Sequence, residues 1–223
     1  FKPQELSNLA WSYATAGFKN PPCFNAIAAE AQNQMEGFSS QHIANTAWAF
    51  AKAGTNAPTL FQRMSLEFIR KIQEANSQNL SSTAWAFAVL DLHAPPLFDA
   101  IAFEAKLSTF NAHDLANIVW AYAKAGAEAP VLFQAVAEEA EKRLDTFSPQ
   151  DLATTAWAFT TAGVEAPLLY GAVAEVATAR INEFEAQTLQ QLSWAFSDVE
   201  APFLFAAIRG PGTGRSNAPR PPS

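Results

Sequence analysis

Apolar positions in this chain come in blocks with helical spacing. In "FSPQDLATTAWAFTTAG", Phe147 to Gly163, the residues Leu152, Ala156 and Phe159 recur at steps of four and three. That spacing places them on one face of a helix, with small Ala153 and Thr160 beside them for close approach. In "APVLFQAVAEEAEKRL", Ala129 to Leu144, a second apolar face is formed by Leu132, Phe133, Val136, Ala137, Ala140 and Leu144, while Glu138, Glu141 and Lys142 point away. The pattern predicts two helices of roughly 15 and 16 residues joined by a short turn, each marginal alone in water.

Polar and special residues mark where these helices start and stop. Ser148 is placed as an N-cap, Pro149 at the first helical position, and Asp151 where it can reach back to the cap. Phe147 can pack on Leu152 as a hydrophobic staple, and Phe1 with Leu6, Phe38 with Ile43, Phe110 with Leu115 and Phe184 with Leu189 repeat that pair. Gly17, Gly54, Gly126 and Gly163 end the first helices. Asp91 and Glu200 stand in that place in the third and sixth copies, so those corners are expected to differ. Pro21, Pro58, Pro95, Pro130, Pro167 and Pro202 open the second helices.

The same phrase recurs along the chain. Trp11, Trp48, Trp85, Trp120, Trp157 and Trp194 are separated by 37, 37, 35, 37 and 37 residues. A fixed period in this range means a stack of supersecondary units, each unable to bury its apolar face alone. The expected fold is all-α: a right-handed α-solenoid of five to six helix-turn-helix repeats of about 37 residues. The repeats parse as 1–37, 38–74, 75–109, 110–146 and 147–183, with a partial sixth at 184–208 and a disordered Gly/Pro/Arg tail at 209–223.

Composition sharpens this picture in three places. The apolar half of the chain is rich in alanine, which favours closely packed helices. Net charge is −7, from 14 Lys+Arg against 21 Asp+Glu, and this argues against avid non-specific binding to phosphates. No apolar run approaches the roughly 20 residues that span a bilayer. The chain opens at Phe1, without methionine, as a piece of a longer protein would, and no targeting segment is legible.

Unrolling the first helix places a polar stripe beside the tryptophan. It reads Gln4, Asn8, Thr15; Gln41, Asn45, Lys52; Gln78, Ser82, Val89; His113, Asn117, Lys124; Gln150, Thr154, Thr161; and Gln187, Gln191, Asp198. Amides and hydroxyls in such a row can pair with base edges, and Lys52 and Lys124 can meet phosphates. Plain solvation of an exposed helix face accounts for the same pattern. The tryptophans read more simply as wedges between hairpins than as base-stacking platforms.

Candidate chemistry is otherwise sparse. His42, His93 and His113 lie in different repeats without metal-ligand spacing, and His42 and His113 fit as first-turn polar residues. Cys23 takes the slot of Leu60, Leu97, Leu132 and Leu169, and so reads as a core residue. Glu30, Glu67, Glu104 and Glu139 share one phase of the second helix and read as a solvated outer face. Neither an enzyme, a metal site nor a cofactor is expected.

The phrase "FSPQDLATTAWAFTTAGVEAP" resembles the octotricopeptide repeat, and is similar to the helical repeats that precede RAP domains in organelle RNA-processing proteins with FAST-kinase-like modules. The resemblance covers Phe1 to about Ile208. It implies binding of single-stranded RNA without catalysis, in mitochondrion or chloroplast, during RNA processing, stabilisation or translation. On this reading the RNA-facing residues are Gln41, Asn45, Lys52, Gln78, Ser82, His113, Asn117, Lys124, Gln150, Thr154 and Thr161, about one nucleotide per repeat. The competing expectation is a protein–protein interaction scaffold for a basic or ribonucleoprotein partner. Neither reading involves a membrane or a small-molecule substrate.

Overall fold

The computed structural model describes residues 1–209. The Gly/Pro/Arg tail expected from 209 lies outside them, except that Arg209 is the last residue of a helix. Among the described residues there are twelve α-helices and no strands. They pair as α1 (Pro3–Thr15) with α2 (Pro21–Asn33), α3 (Ser40–Ala53) with α4 (Pro58–Arg70), and α5 (Ser77–Val89) with α6 (Pro95–Glu104). Then follow α7 (Ala112–Ala125) with α8 (Pro130–Glu141), α9 (Pro149–Ala162) with α10 (Pro167–Ala179), and α11 (Ala186–Ala195) with α12 (Pro202–Arg209). Two compact units result: Phe1–Thr109 with Lys124–Ala127, and Phe110–Ala123 with the chain from Glu128.

Within each unit, like packs on like. In the first, α1 packs on α3 and α3 on α5, while α2 packs on α4 and α4 on α6. In the second, α9 packs on α11, α8 on α10 and α10 on α12. Neighbouring helices thus pack as in a solenoid. Alanine explains why first helices come so close: Ala44, Ala47, Ala49 and Ala51 of α3 are all buried, so its backbone is covered on both flanks. By contrast, α1 buries only Leu6, Ser7, Ala10 and Ala14.

Between the helix layers of a unit the core is a zigzag of rings. Phe24 meets Phe50 edge-on at 5.0 Å, Phe50 meets Phe61 at 6.4 Å, and Phe61 meets Phe87 at 5.1 Å. Phe133–Phe159 at 5.1 Å and Tyr170–Phe196 at 5.2 Å repeat the motif in the second unit. Such edge-to-face pairs add about 0.5–1.5 kcal/mol each beyond area burial. The staple residues Phe38, Ile43, Phe110, Leu115, Phe147 and Leu152 are buried too, whereas Phe1 is exposed. Cys23 is only half-buried, unlike the leucines that share its slot.

Two local features depart from the sequence-based expectation. The second helices are shorter than 16 residues, because each of the first five is followed by a 3₁₀ turn: Met35–Gly37, Ile72–Glu74, Leu107–Thr109, Leu144–Thr146 and Ile181–Glu183. Leu144, assigned from periodicity to the helix face, is buried from that turn. The corner at Asp91 does not differ from its glycine counterparts. Its φ of 50° matches the 62–72° of Gly17, Gly54, Gly126 and Gly163. Asp91 N–H donates to Ala88 and Leu92 N–H to Phe87, as Gly54 and Thr55 donate to Ala51 and Phe50. Aspartate tolerates the left-handed region better than most residues, so packing imposes the same stop at a cost. Asp91→Gly should therefore raise stability by about 0.5–1 kcal/mol, net of an exposed ion pair, seen as a higher urea midpoint. The Glu200 corner does differ: α11 ends at Ala195, capped by Phe196 at φ −97° without a left-handed residue.

Candidate nucleic-acid interface

The polar stripe is positioned by the caps. Ser148 Oγ accepts from Asp151 N–H at 3.1 Å, and the Asp151 carboxylate accepts from Ser148 N–H at 3.1 Å, fixing the first turn of α9. In α5, Asn76 and Asn79 make the same exchange, and in α3 it is made by Ser39 and His42. His42 is thus a cap partner whose Nδ1 accepts from Ser39 N–H at 3.3 Å. With the helix start fixed, the following residue positions fall in phase from repeat to repeat.

In the first unit, Gln41, Lys52 and Gln78 are exposed, Asn45 and Ser82 are half-buried, and Gln4, Asn8 and Thr15 are exposed. In the second unit, His113, Gln150, Thr161 and Gln187 are exposed, with Asn117, Thr154 and Gln191 half-buried. Every predicted stripe residue therefore reaches solvent. Lys124, grouped with the first unit, lies 3.5 Å from Asp91, so its charge is partly matched, and only Lys52 of the two lysines makes no ion pair among the described residues.

The second unit knits its stripe laterally, which the sequence did not suggest. Gln150 Nε2 donates to Thr154 Oγ1 and to Gln191 Oε1, both at 3.2 Å, and Thr188 Oγ1 donates to Gln150 Oε1 at 3.0 Å. His113 Nδ1 is 3.0 Å from Asp151 Oδ1, and its Nε2 is 2.9 Å from Asn117 Nδ2. The one available signal was the 38-residue separation of His113 and Asp151, one repeat plus one residue.

Beside the stripe runs a row of indoles. Trp48, Trp85, Trp120, Trp157 and Trp194 are half-buried and Trp11 is exposed, so the indoles expected as wedges between hairpins also reach solvent. Their rings still link repeats: Trp120 and Trp157 centroids are 6.3 Å apart at 31°, and Trp157 and Trp194 are 6.3 Å apart at 36°.

The two first-turn histidines respond to protons in opposite senses. The Asp151 hydrogen bond raises the His113 pKa above its usual value, outweighing burial, with the Asp151 and Asp114 charges adding to it. Burial pushes the Asp151 carboxyl up, but hydrogen bonds from His113 and Ser148 hold it below the ordinary range. Burial, then the Lys71 charge, lowers His42. A raised histidine stabilises fully below about pH 6.5 and loses that contribution as pH rises through its folded value. A lowered one stabilises above about pH 6.5 and loses it as pH falls through its folded value. Asp151 stabilises above about pH 3.9 and loses that as pH falls through its lowered value. Thermal melts from pH 5 to 8 should show both histidine slopes. His113→Gln, copying Gln150, should flatten the alkaline side, and His42→Asn, copying Asn79, the acid side.

Three of the four recurrent glutamates, Glu30, Glu67 and Glu139, are not a solvated face but bonded within their hairpins, correcting the expectation from sequence, while Glu104 is half-buried. Glu67 is buried and binds Lys71 at 2.8 Å and Arg70 at 3.0 Å. Glu139 pairs with Lys142 and Arg143, each at 3.0 Å, and Glu30 accepts from Gln34. These partners end the second helix and close the hairpin. Gln34 Nε2 donates to the Phe1 carbonyl at 2.9 Å, Lys71 Nζ to that of Phe38 at 2.7 Å, and Arg180 Nη1 to that of Phe147 at 2.8 Å. Lys71, Lys142, Arg143 and Arg180 are thus committed to structure, away from the stripe. Among the described residues no three His, Cys, Asp or Glu side chains group as metal ligands, and no helix is long and apolar enough to cross a membrane.

A protein-family model described as RNA-editing substrate-binding complex 6 protein, RESC6, matches residues 1–200. The chain belongs to that family. No curated protein matches it. The matched span runs from α1 through α11, so it takes in all six tryptophans and the whole stripe. The RESC6 assignment agrees with the helical-repeat architecture and ties it to a family named for RNA editing.

Proposed function

We propose that this chain is a non-catalytic, helical-repeat subunit of an RNA-editing substrate-binding complex, holding single-stranded RNA on the first-helix faces of its units. The observation that carries this reading is the repeated pairing of a solvent-reaching indole with an exposed amide, imidazole or hydroxyl, one set per repeat. Bases have flat faces for the indoles and polar edges for Gln41, Gln78, His113 and Gln150. Lys52 meets phosphate, while Lys124 does so only by leaving Asp91. With so few cations the RNA is held by stacking and base edges more than by phosphate contacts. The family description, which names a substrate-binding complex for RNA editing, supports an RNA ligand. We take the mitochondrion rather than the chloroplast as the compartment, because RNA-editing complexes of this kind act there. The likeness to octotricopeptide arrays supports the same mode of binding, about one nucleotide per repeat.

Selection of the purified chain against a random single-stranded RNA pool at two salt concentrations tests this. Enrichment of a short motif, with affinity falling only modestly with salt, is expected. Replacing Asn45, Lys52, Asn117 and Lys124 together with alanine should weaken that binding about tenfold or more while helicity and Tm stay nearly unchanged. Absence of enrichment and of measurable RNA binding would sink the reading.

A further inference from the structure

The second unit carries a surface that the RNA reading leaves unused. At three successive corners an exposed glutamate precedes an exposed apolar residue by three positions: Glu128 and Val131, Glu165 and Leu168, Glu200 and Phe203. The apolar members sit in the first turns of α8, α10 and α12, and are 81%, 76% and 79% exposed. Because α8 packs on α10 and α10 on α12, both kinds of residue form rows. Equivalent positions of the first unit hold Lys19, Asn56 and His93, followed three places on by Pro22, Thr59 and Pro96. The acidic and apolar rows are therefore a property of the second unit, not of the repeat as such.

Between the last two corners lies an open cleft of about 620 Å³. Its floor is apolar, with Pro167, Gly171, Ala174 and Val199 among the lining residues, and its charged lining is Glu165, Asp198 and Glu200. No cation lines it. Lys142, Arg143 and Arg180, by contrast, lie at the far ends of the second helices, bonded to Glu139 and Glu183. A single exposed leucine is ordinary, but aligned large apolar residues beside an apolar cleft mark a contact surface. Three carboxylates facing one cleft repel phosphate, so nucleic acid is a poor occupant.

We infer that the α8–α10–α12 corner edge docks a basic amphipathic segment of a partner protein, its apolar side chains on Val131, Leu168, Phe203 and the cleft floor, its Lys or Arg on Glu128, Glu165 and Glu200. Charge complementarity selects this occupant: the surface supplies both an apolar strip and unmatched negative charge, and such a segment answers both. The proposal does not rest on the RNA reading: none of its residues is among the predicted RNA-facing ones, although Lys124 and Thr161 of that stripe lie in the last helical turns before the same corners.

The test uses the full chain and a fluorescein-labelled synthetic helix with leucines on one face and lysines on the other. Anisotropy should show salt-sensitive binding, weakened at least tenfold by Glu165→Lys/Glu200→Lys and by Leu168→Ser/Phe203→Ser. Glu138→Lys/Glu141→Lys, an equal charge change elsewhere on α8, should leave it unaltered, as should single-stranded RNA held elsewhere. All these residues are exposed, so unchanged melting curves confirm folding. Equal weakening by both charge reversals, or none by either, would overturn the assignment. So would binding that appears only after residues 210–223 are removed, which would make the chain's own basic tail the occupant.

Discussion

Replacing Lys71 with methionine should cost about 3 kcal/mol. The side chain is only 19% exposed, and its ammonium has three tasks. It neutralises Glu67, whose side chain is 9% exposed, at 2.8 Å, and it donates at 2.7 Å to the carbonyls of both Glu36 and Phe38. Methionine fills similar volume but leaves a buried carboxylate with only Arg70, whose side chain is 62% exposed, and removes the donor from two carbonyls. The loss comes mostly from the stranded charge, so Lys71→Met/Glu67→Gln should recover roughly half of it. Urea unfolding is the measurement: a lowered midpoint at constant slope, partly restored in the double variant. An unchanged midpoint in the single variant would show that the ion pair contributes no stability.

That residue also shows where sequence reading stopped. A glutamate at constant phase of the second helix is visible in Glu30, Glu67 and Glu139, and so is the residue four places on, Gln34, Lys71 or Arg143. What cannot be seen is the carbonyl that Gln34, Lys71 and Arg180 meet 33 residues upstream, because it depends on how the hairpin closes. Period, helix pairing, caps and glycine stops rest on local chemistry and were legible. Asp91 was misjudged for the converse reason: the local preference against a left-handed aspartate is weaker than the packing that imposes the turn. The stripe divides the same way. Helical phase was enough to put Gln150 and His113 at the surface. The bonds from Gln150 to Gln191 and from His113 to Asp151 required knowing how one repeat sits on the next.

Trp157→Ala should lower stability by about 2 kcal/mol and weaken RNA binding about tenfold or more. The stability figure is set below that of a fully enclosed tryptophan because the indole is half-buried, although it touches both Trp120 and Trp194 at 6.3 Å. Alanine alone cannot separate the two roles, since a loosened stack would also misplace Gln150 and Thr154. Two further variants do. Trp157→Leu keeps apolar bulk between neighbouring indoles but has no flat π-face, whereas Trp157→Phe keeps the face with less area. If bases stack on the row, the phenylalanine variant retains most RNA affinity and the leucine variant loses it, at similar Tm. If the indoles serve only to join repeats, affinity follows Tm through all three variants. The indoles are tilted by 31° and 36° at 6.3 Å between centroids, so a base that stacks in the row has to part and realign the rings. Such an entry would give a weakly charged face a way to grip RNA without the cations that the hairpin closures have taken.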